Sequence, residues 1–237
     1  MLPWNVEDLA LDEGRFAGVV RIFPLPDLIM FPNVMQPLHV FEQRYRDLLN
    51  DALDGDGLIA MAALEPGWEV DYEGRPAVYP YACLGKIVAH HRLEDGRYNL
   101  MLLGSRRVRI VEEAEPSRTY RQASAEILHD CYRASGEARR PELQQRLIRQ
   151  FTESLPTHLL PNEQIGALSA ADLPLGVLAD LAAFVLPLQR RLKVRLLGEC
   201  DADLRAELVL AALEQSDFDS SPSDESSDPF PPHFSSN

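Results

Sequence analysis

The chain has 237 residues, 46% of them hydrophobic, with 23 basic against 37 acidic side chains and a formal charge of -14. That length can bury a real core as one large or two modest domains, and the negative balance argues against general affinity for nucleic acid or anionic membranes. No apolar run is long enough to span a bilayer, the acidic start lacks the parts of a signal peptide, and Cys83, Cys131 and Cys200 are spaced as free thiols, so a cytoplasmic protein is expected.

Residues 1–17 read as an acidic N-terminal arm, with Trp4 and Leu9 resting against the body. Gly18–Phe23 alternates weakly and is expected to be the first strand. Pro24, Pro26, Pro32 and Pro37 each lack an amide donor and hold the preceding residue extended. Such a segment is expected outside the middle of a regular sheet. Phe41, Tyr45, Leu48, Leu49 and Ala52 then recur at helical spacing, and Gly55 stands where that helix stops. On it Glu42 is spaced to pair with Arg46, and Arg44 with Asp47. Glu42 falls at the edge of the apolar stripe, the one charge there expected to be partly buried.

Gly57–Ala63 is a continuous apolar run bounded by turn residues, the pattern of a buried strand. Residues 64–82, rich in Gly, Pro and aromatics, have no period and read as a long ordered loop. Lys86–Leu93 and Arg97–Leu103 flank Glu94-Asp95-Gly96, a tight hairpin turn. Gly104-Ser105 is expected to turn the chain into Arg106–Val111, where Val108 and Ile110 face one way and Arg107 and Arg109 the other. Thr119–Leu128 is expected to be a further strand.

Past a polar boundary at 132–141 the pattern is helical. Leu143, Leu147, Phe151 and Leu155 follow Pro141 at four-residue steps. Asp172 is placed to cap a helix carrying Leu175, Leu178, Ala182 and Val185. Pro187 breaks that run, Gly198 closes the next helix, and Asp201 caps a last one with Leu204, Leu208 and Leu213 inward. Residues 216–237 carry too few apolar groups to offset their ordering entropy and are expected to be a disordered acidic tail. The expected division is thus 1–17, a β-rich part at 18–131, a helical part at 132–215, and the tail.

The string FPLPDLIMFPNVMQPLHVFEQRY, residues 23–45, resembles the opening of the Lon N-terminal (LON substrate-binding) domain. The two Phe-Pro pairs at Pro24 and Pro32 and the sequence Phe41-Glu42-x-Arg44-Tyr45 carry the likeness. Cys83-Leu-Gly-Lys-Ile, Gly104-x-x-Arg107-x-Arg109-Ile110 and the ending LLGECDADLRAELVLAAL are similar as well. The resemblance implies an α+β chain: a small, partly open PUA-like β pseudobarrel with one packed helix, followed by a C-terminal α-helical bundle. It implies structural roles for Pro24, Pro32, Phe41, Glu42, Arg44, Tyr45, Gly104 and Arg107. The family's module precedes an ATPase and a protease in Lon and also occurs as a free-standing protein, the form this chain resembles.

The residues themselves offer little chemistry. A phosphate-binding loop at Gly85-Lys86 fails because Pro80 holds the first glycine position and Ile87 the hydroxyl position. No metal is expected: His90 and His91 are adjacent on a strand and point to opposite faces, while His129 and Cys131 are two ligands without a third. There is no nucleophile elbow, and Glu42, the best acid–base candidate, reads better as a strut for its helix. Arg106, Arg107 and Arg109, the only basic cluster in the β-region, could contact phosphate or an acidic peptide but read better as a solvated strand face beside acidic neighbours. Met30, Phe31, Met35, Trp68, Tyr72, Tyr79 and Tyr81 lie in irregular segments; they either form an adaptable peptide-binding surface or cap the end of the barrel. By analogy with Lon, the expectation is a non-enzymatic, cofactor-free, ATP-independent binder of unfolded or extended polypeptides with a protease or chaperone partner. The alternatives are a small-molecule or nucleic-acid binder on the barrel, or an adaptor or scaffold.

Overall fold

The computed structural model describes residues 11, 13–155 and 173–216. Trp4 and Leu9, the Asp172 cap and residues 217–237 of the tail lie outside the described residues. The strands are β1 (Val19–Leu25), β2 (Met35–Val40), β3 (Leu58–Leu64), β4 (Val78–Arg92), β5 (Tyr98–Glu113) and β6 (Arg121–Leu128), with helix α1 (Gln43–Leu53) between β2 and β3. Helices α2 (Arg140–Ser154), α3 (Leu175–Val185), α4 (Arg190–Gly198) and α5 (Ala202–Ser216) follow.

The sheet order is β2-β5-β4-β3-β1-β6, and β5 also pairs with β6. That second pairing closes β5, β4, β3, β1 and β6 into a ring. β2 is left outside it as a flap along the first half of β5, Met35 opposite Leu103 and Val40 opposite Tyr98. Val20, Ile22, Leu58, Ala60, Ala62, Ala82, Leu84, Val108, Ala123 and Ala125 fill the interior. So narrow a ring has room only for small and medium side chains. Ile59, Met61 and Ala63 of β3 face the second core, under the helices. A strand covered on both faces reads as an unbroken apolar run, which is why Gly57–Ala63 shows no alternation.

Three expectations about the strands change. β1 lies inside the sheet despite Pro24, because Val19–Ile22 pair with β6 and Ile22–Leu25 with β3. Pro24 has a paired neighbour on one side only, so its missing amide leaves the β6 ladder untouched. β5 runs straight through Gly104-Ser105 instead of turning there. Gly85 pairs with Gly104 and Leu84 with Arg106, so Ser105 is the extra residue of a bulge. β4 also takes the last residues of the expected loop: it starts at Val78, and Trp68–Asp71 form one short helical turn.

α1 buries Tyr45, Leu48, Leu49 and Ala52, with Tyr45 stacked on Phe23 at 4.3 Å between ring centroids. Phe41 and Glu42 stand before the helix, and Glu42 is extended at φ -66, ψ 137. Helical spacing therefore does not apply to Glu42: it pairs with Arg44 at 2.9 Å, and Gln43 takes Asp47 at 2.7 Å. In the helical part the breaks at Pro187 and Gly198 fall as expected. Asp201 caps α5 by accepting from the amides of Asp203 (3.0 Å) and Leu204 (3.2 Å). The inner face of α5 is Ala202, Ala206, Val209, Leu210 and Leu213, while Leu204 and Leu208 are only partly buried. Arg205, 1% exposed, sets that rotation.

Arg205 belongs to an ion-pair cluster that joins the ring to the helices. It donates to Asp130 from Nη1 at 3.0 Å, and its Nε lies 3.3 Å from Asp180 of α3. Arg107 of β5 donates to Asp130 at 3.0 Å and also to Asp180. Arg107 is 2% exposed, so it is no part of a solvated face. Arg106 and Arg109 do stay outside, donating to Glu13 and Glu126, each at 2.6 Å.

Candidate functional site

The aromatic and methionine residues singled out in the sequence separate into three groups. Met30 and Phe31 are fully enclosed in the core between ring and helices, so they offer no surface. Tyr79 and Tyr81 are half-buried under α4: the Arg190 guanidinium lies 5.8 Å from the Tyr79 ring, and Tyr81 packs against Gly198. Met35 is exposed, in company with Phe41, and Trp68 and Tyr72 are half-buried beside α1.

This third group forms a strip. β2 pairs with β5 alone among the described residues, so its outer edge carries no further strand. Met35 (45% exposed) and Phe41 (47%) flank that edge, and Phe41 lies 6.2 Å from the His39 ring. The strip continues at the start of α1. There the Arg44 guanidinium lies between the rings of Tyr45 and Tyr72, at 4.8 and 4.9 Å, and Trp68 meets Tyr72 edge-on at 5.5 Å. Glu42 ties the cluster together, accepting from the Tyr72 hydroxyl at 2.7 Å and from Arg44 Nε at 3.0 Å. Burial and that hydrogen bond push the Tyr72 phenol up to about 12, so it stays a proton donor at any ordinary pH. Glu42 is thus partly buried, its carboxylate held by a tyrosine 30 residues away.

Beside Arg44 lies an open groove of about 230 Å³ whose lining includes Arg75, Arg118, Tyr120 and Arg121. Sequence reasoning missed these residues. Arg75 and Arg118 come from aperiodic loops, Arg121 opens β6 with Tyr120 just before it, and the one available signal was the density of Arg118-Thr-Tyr-Arg121. Each arginine already has an oxygen partner: Arg121 binds Glu113, Arg118 binds Asp51 at 3.0 Å, and Arg75 donates to the Ala114 carbonyl at 3.2 Å. The groove is therefore a wall of held guanidiniums with two tyrosines, Tyr45 and Tyr120, and one carboxylate, Glu73. Its guanidiniums can bind polar backbone and carboxylates. Among the described residues no group of three or more His, Cys, Asp and Glu is arranged to hold a metal ion, and no helix is long and apolar enough to cross a membrane.

A five-stranded ring carrying a flap strand, with a helical bundle on its outer face, defines an α+β domain with the fold of Lon N-terminal domains. The N-terminal domain of the Mycobacterium avium complex Lon protease aligns with a TM-score of 0.64 at 16% identity, over 83% of this chain and 98% of that one. The Lon N-terminal domain protein of Xanthomonas campestris aligns with a TM-score of 0.57 at 22% identity, over 81% and 97%. Residues 19–215 match the family described as the ATP-dependent protease La (LON) substrate-binding domain, and the chain belongs to that family. The Lon protease of Escherichia coli K12 is 26% identical over 196 residues, and Lon protease 2 of Syntrophobacter fumaroxidans 28% over 179. These alignments take in 82% and 74% of this chain but only 24% and 22% of those relatives.

Proposed function

We propose that this protein is a non-enzymatic recognition module that binds exposed or unfolded polypeptide segments and hands them to a protease or chaperone partner without using ATP. The observation that carries the reading is the outer edge of β2, flanked by Met35 and Phe41 and continued by the Trp68–Tyr72–Arg44 cluster. An extended segment can lie along such an edge, with exposed apolar and aromatic groups taking its side chains; Pro37 has no amide to donate and its carbonyl accepts from Gln36 at 2.9 Å, so backbone pairing is confined to the ends of β2. Membership of a substrate-binding family supports the same reading, and the free cysteines suit a cytoplasmic setting.

The test is binding of one labelled client in two forms, native and irreversibly unfolded, followed by fluorescence anisotropy without nucleotide. Saturable binding of the unfolded form alone is expected. Equal and negligible binding of both forms, or turnover of the client by the protein alone, overturns the proposal.

A further inference from the structure

On another part of the surface the bulge at Ser105 and the backbone at Asn33 frame a pocket of about 270 Å³, lined also by Arg106, Arg107, His129 and Asp130. Both framing residues depart from regular geometry. Ser105 is the unpaired bulge residue, and Asn33 holds φ at 64° while its amide donates to the Gly104 carbonyl at 2.8 Å. Irregularities of this kind persist where the surroundings enforce them, and they cluster at binding sites.

The charge balance of the pocket is more telling. Three guanidiniums stand at or behind its wall: Arg106, Arg107 and Arg205. Two of the facing carboxylates, Asp130 and Asp180, are already held by Arg107 and Arg205. One positive charge is left, with Arg107 Nε, Arg205 Nε and one oxygen of Asp180 all buried without a hydrogen-bond partner. The third carboxylate comes from outside the barrel. Glu13, on the short turn Glu13–Arg15, accepts from Arg106 Nε at 2.6 Å, and its other oxygen lies 3.7 Å from His129 Nε2.

We propose that this pocket is an oxyanion site that takes a carboxylate or phosphate group of a ligand, with Glu13 outside its lining as the carboxylate that holds Arg106 and gives it up when the ligand binds. The exchange of one oxyanion for another leaves the charge balance intact and releases the segment that carries Glu13. The inference is independent of the polypeptide reading, because it uses none of the residues of the β2 strip.

The test compares the full chain with Glu13→Gln and Arg106→Ala by amide chemical shifts, titrating inorganic phosphate and, separately, acetate at constant ionic strength. Glu13 and Arg106 are both partly exposed, so neither change disturbs the core. Saturable shifts at Asn33, Ser105 and His129 are expected, tightened by about three- to fivefold in Glu13→Gln, the weight of a surface charge pair, and lost in Arg106→Ala. The anion that saturates at lower concentration identifies the source as phosphate or carboxylate. In the parent protein, trypsin should also cut after Arg15 faster as that anion is added. Shifts that fail to saturate with either anion, or that are the same in all three proteins, overturn the proposal.

Discussion

Arg107 on β5 and Asp180 on α3 pair where water does not reach, with 2% and 1% of their side chains exposed. This contact, shared with Arg205 and Asp130, fixes the helices to the ring. Removing one partner strands the other charge in an apolar setting. Asp180→Ala is expected to destabilise the protein by about 3–5 kcal/mol, read as a lower urea midpoint. Arg107→Met combined with Asp180→Leu should cost less than the sum of the single changes, since the double variant leaves neither member of the pair uncompensated.

The same pair sets a pH dependence. Burial pushes the Asp180 carboxyl up to about 6, although both arginines pull it down. The folded pKa then lies above the unfolded value near 4. The stability it confers is complete below the unfolded value and is lost as pH rises through about 6. The stability difference between the parent protein and Asp180→Asn should therefore shrink by roughly 1–3 kcal/mol between pH 4 and pH 7. A difference that grows over this range would show that the arginines outweigh desolvation.

Gly104 and Gly67 give a paired test of backbone space. A Cβ at Gly104 would meet the Phe31 carbonyl, a backbone atom with nowhere to go, whereas one at Gly67 meets nothing within 4 Å. Gly104→Ala should cost about 3 kcal/mol or more. Gly67→Ala, strained only by its φ of 92°, should cost about 1–2 kcal/mol. Thermal unfolding of the two variants in parallel checks the order.

Replacement of Met35 by lysine places a charge on the outer edge of β2 without entering a core. Affinity for an unfolded client should fall by roughly tenfold, the weight of one good interface residue, while the melting temperature stays within a degree or two of the parent. Tyr72→Phe should lower the melting temperature as well, because it removes a hydrogen-bond donor from Glu42, at a cost of about 1 kcal/mol.

The thiols should differ in reactivity. Burial drives the Cys83 thiol far above its usual range, and Cys131 is exposed. Under native conditions iodoacetamide should label Cys131 first and leave Cys83 untouched until the protein unfolds; mass spectrometry of the digested protein reads the order.

Local signals carried much of this fold. The apolar run of β3, the α1 periodicity, the Asp201 cap and the Pro187 break each depend on residues close in sequence, and each was legible there. What escaped depends on partners far along the chain. Alternation placed Arg107 on the face opposite Val108, but no local pattern says that a helix from 70 residues later covers that face. Gly104-Ser105 has turn chemistry, and only the register against Leu84 and Gly85 makes it a bulge. Met30 and Phe31 lack periodicity because they sit in an extended, proline-bounded segment, not because they are exposed. Of the seven residues singled out for a surface, Met35 is exposed and Trp68 and Tyr72 are half-buried, whereas the arginine groove needed a distant loop brought to the start of β6.

The alanine-rich filling of the ring has a consequence for how this scaffold can change. Ala60, Ala62, Ala82 and Ala123 are wholly enclosed, so the lumen is a solid plug and not a cup. New specificity must therefore arise on the outer wall and rim, where flap, loops and helices can be exchanged piecemeal while the plug stays as it is. Attempts to carve a ligand cavity inside would empty the centre that keeps five strands in register, so redesign should begin at the perimeter.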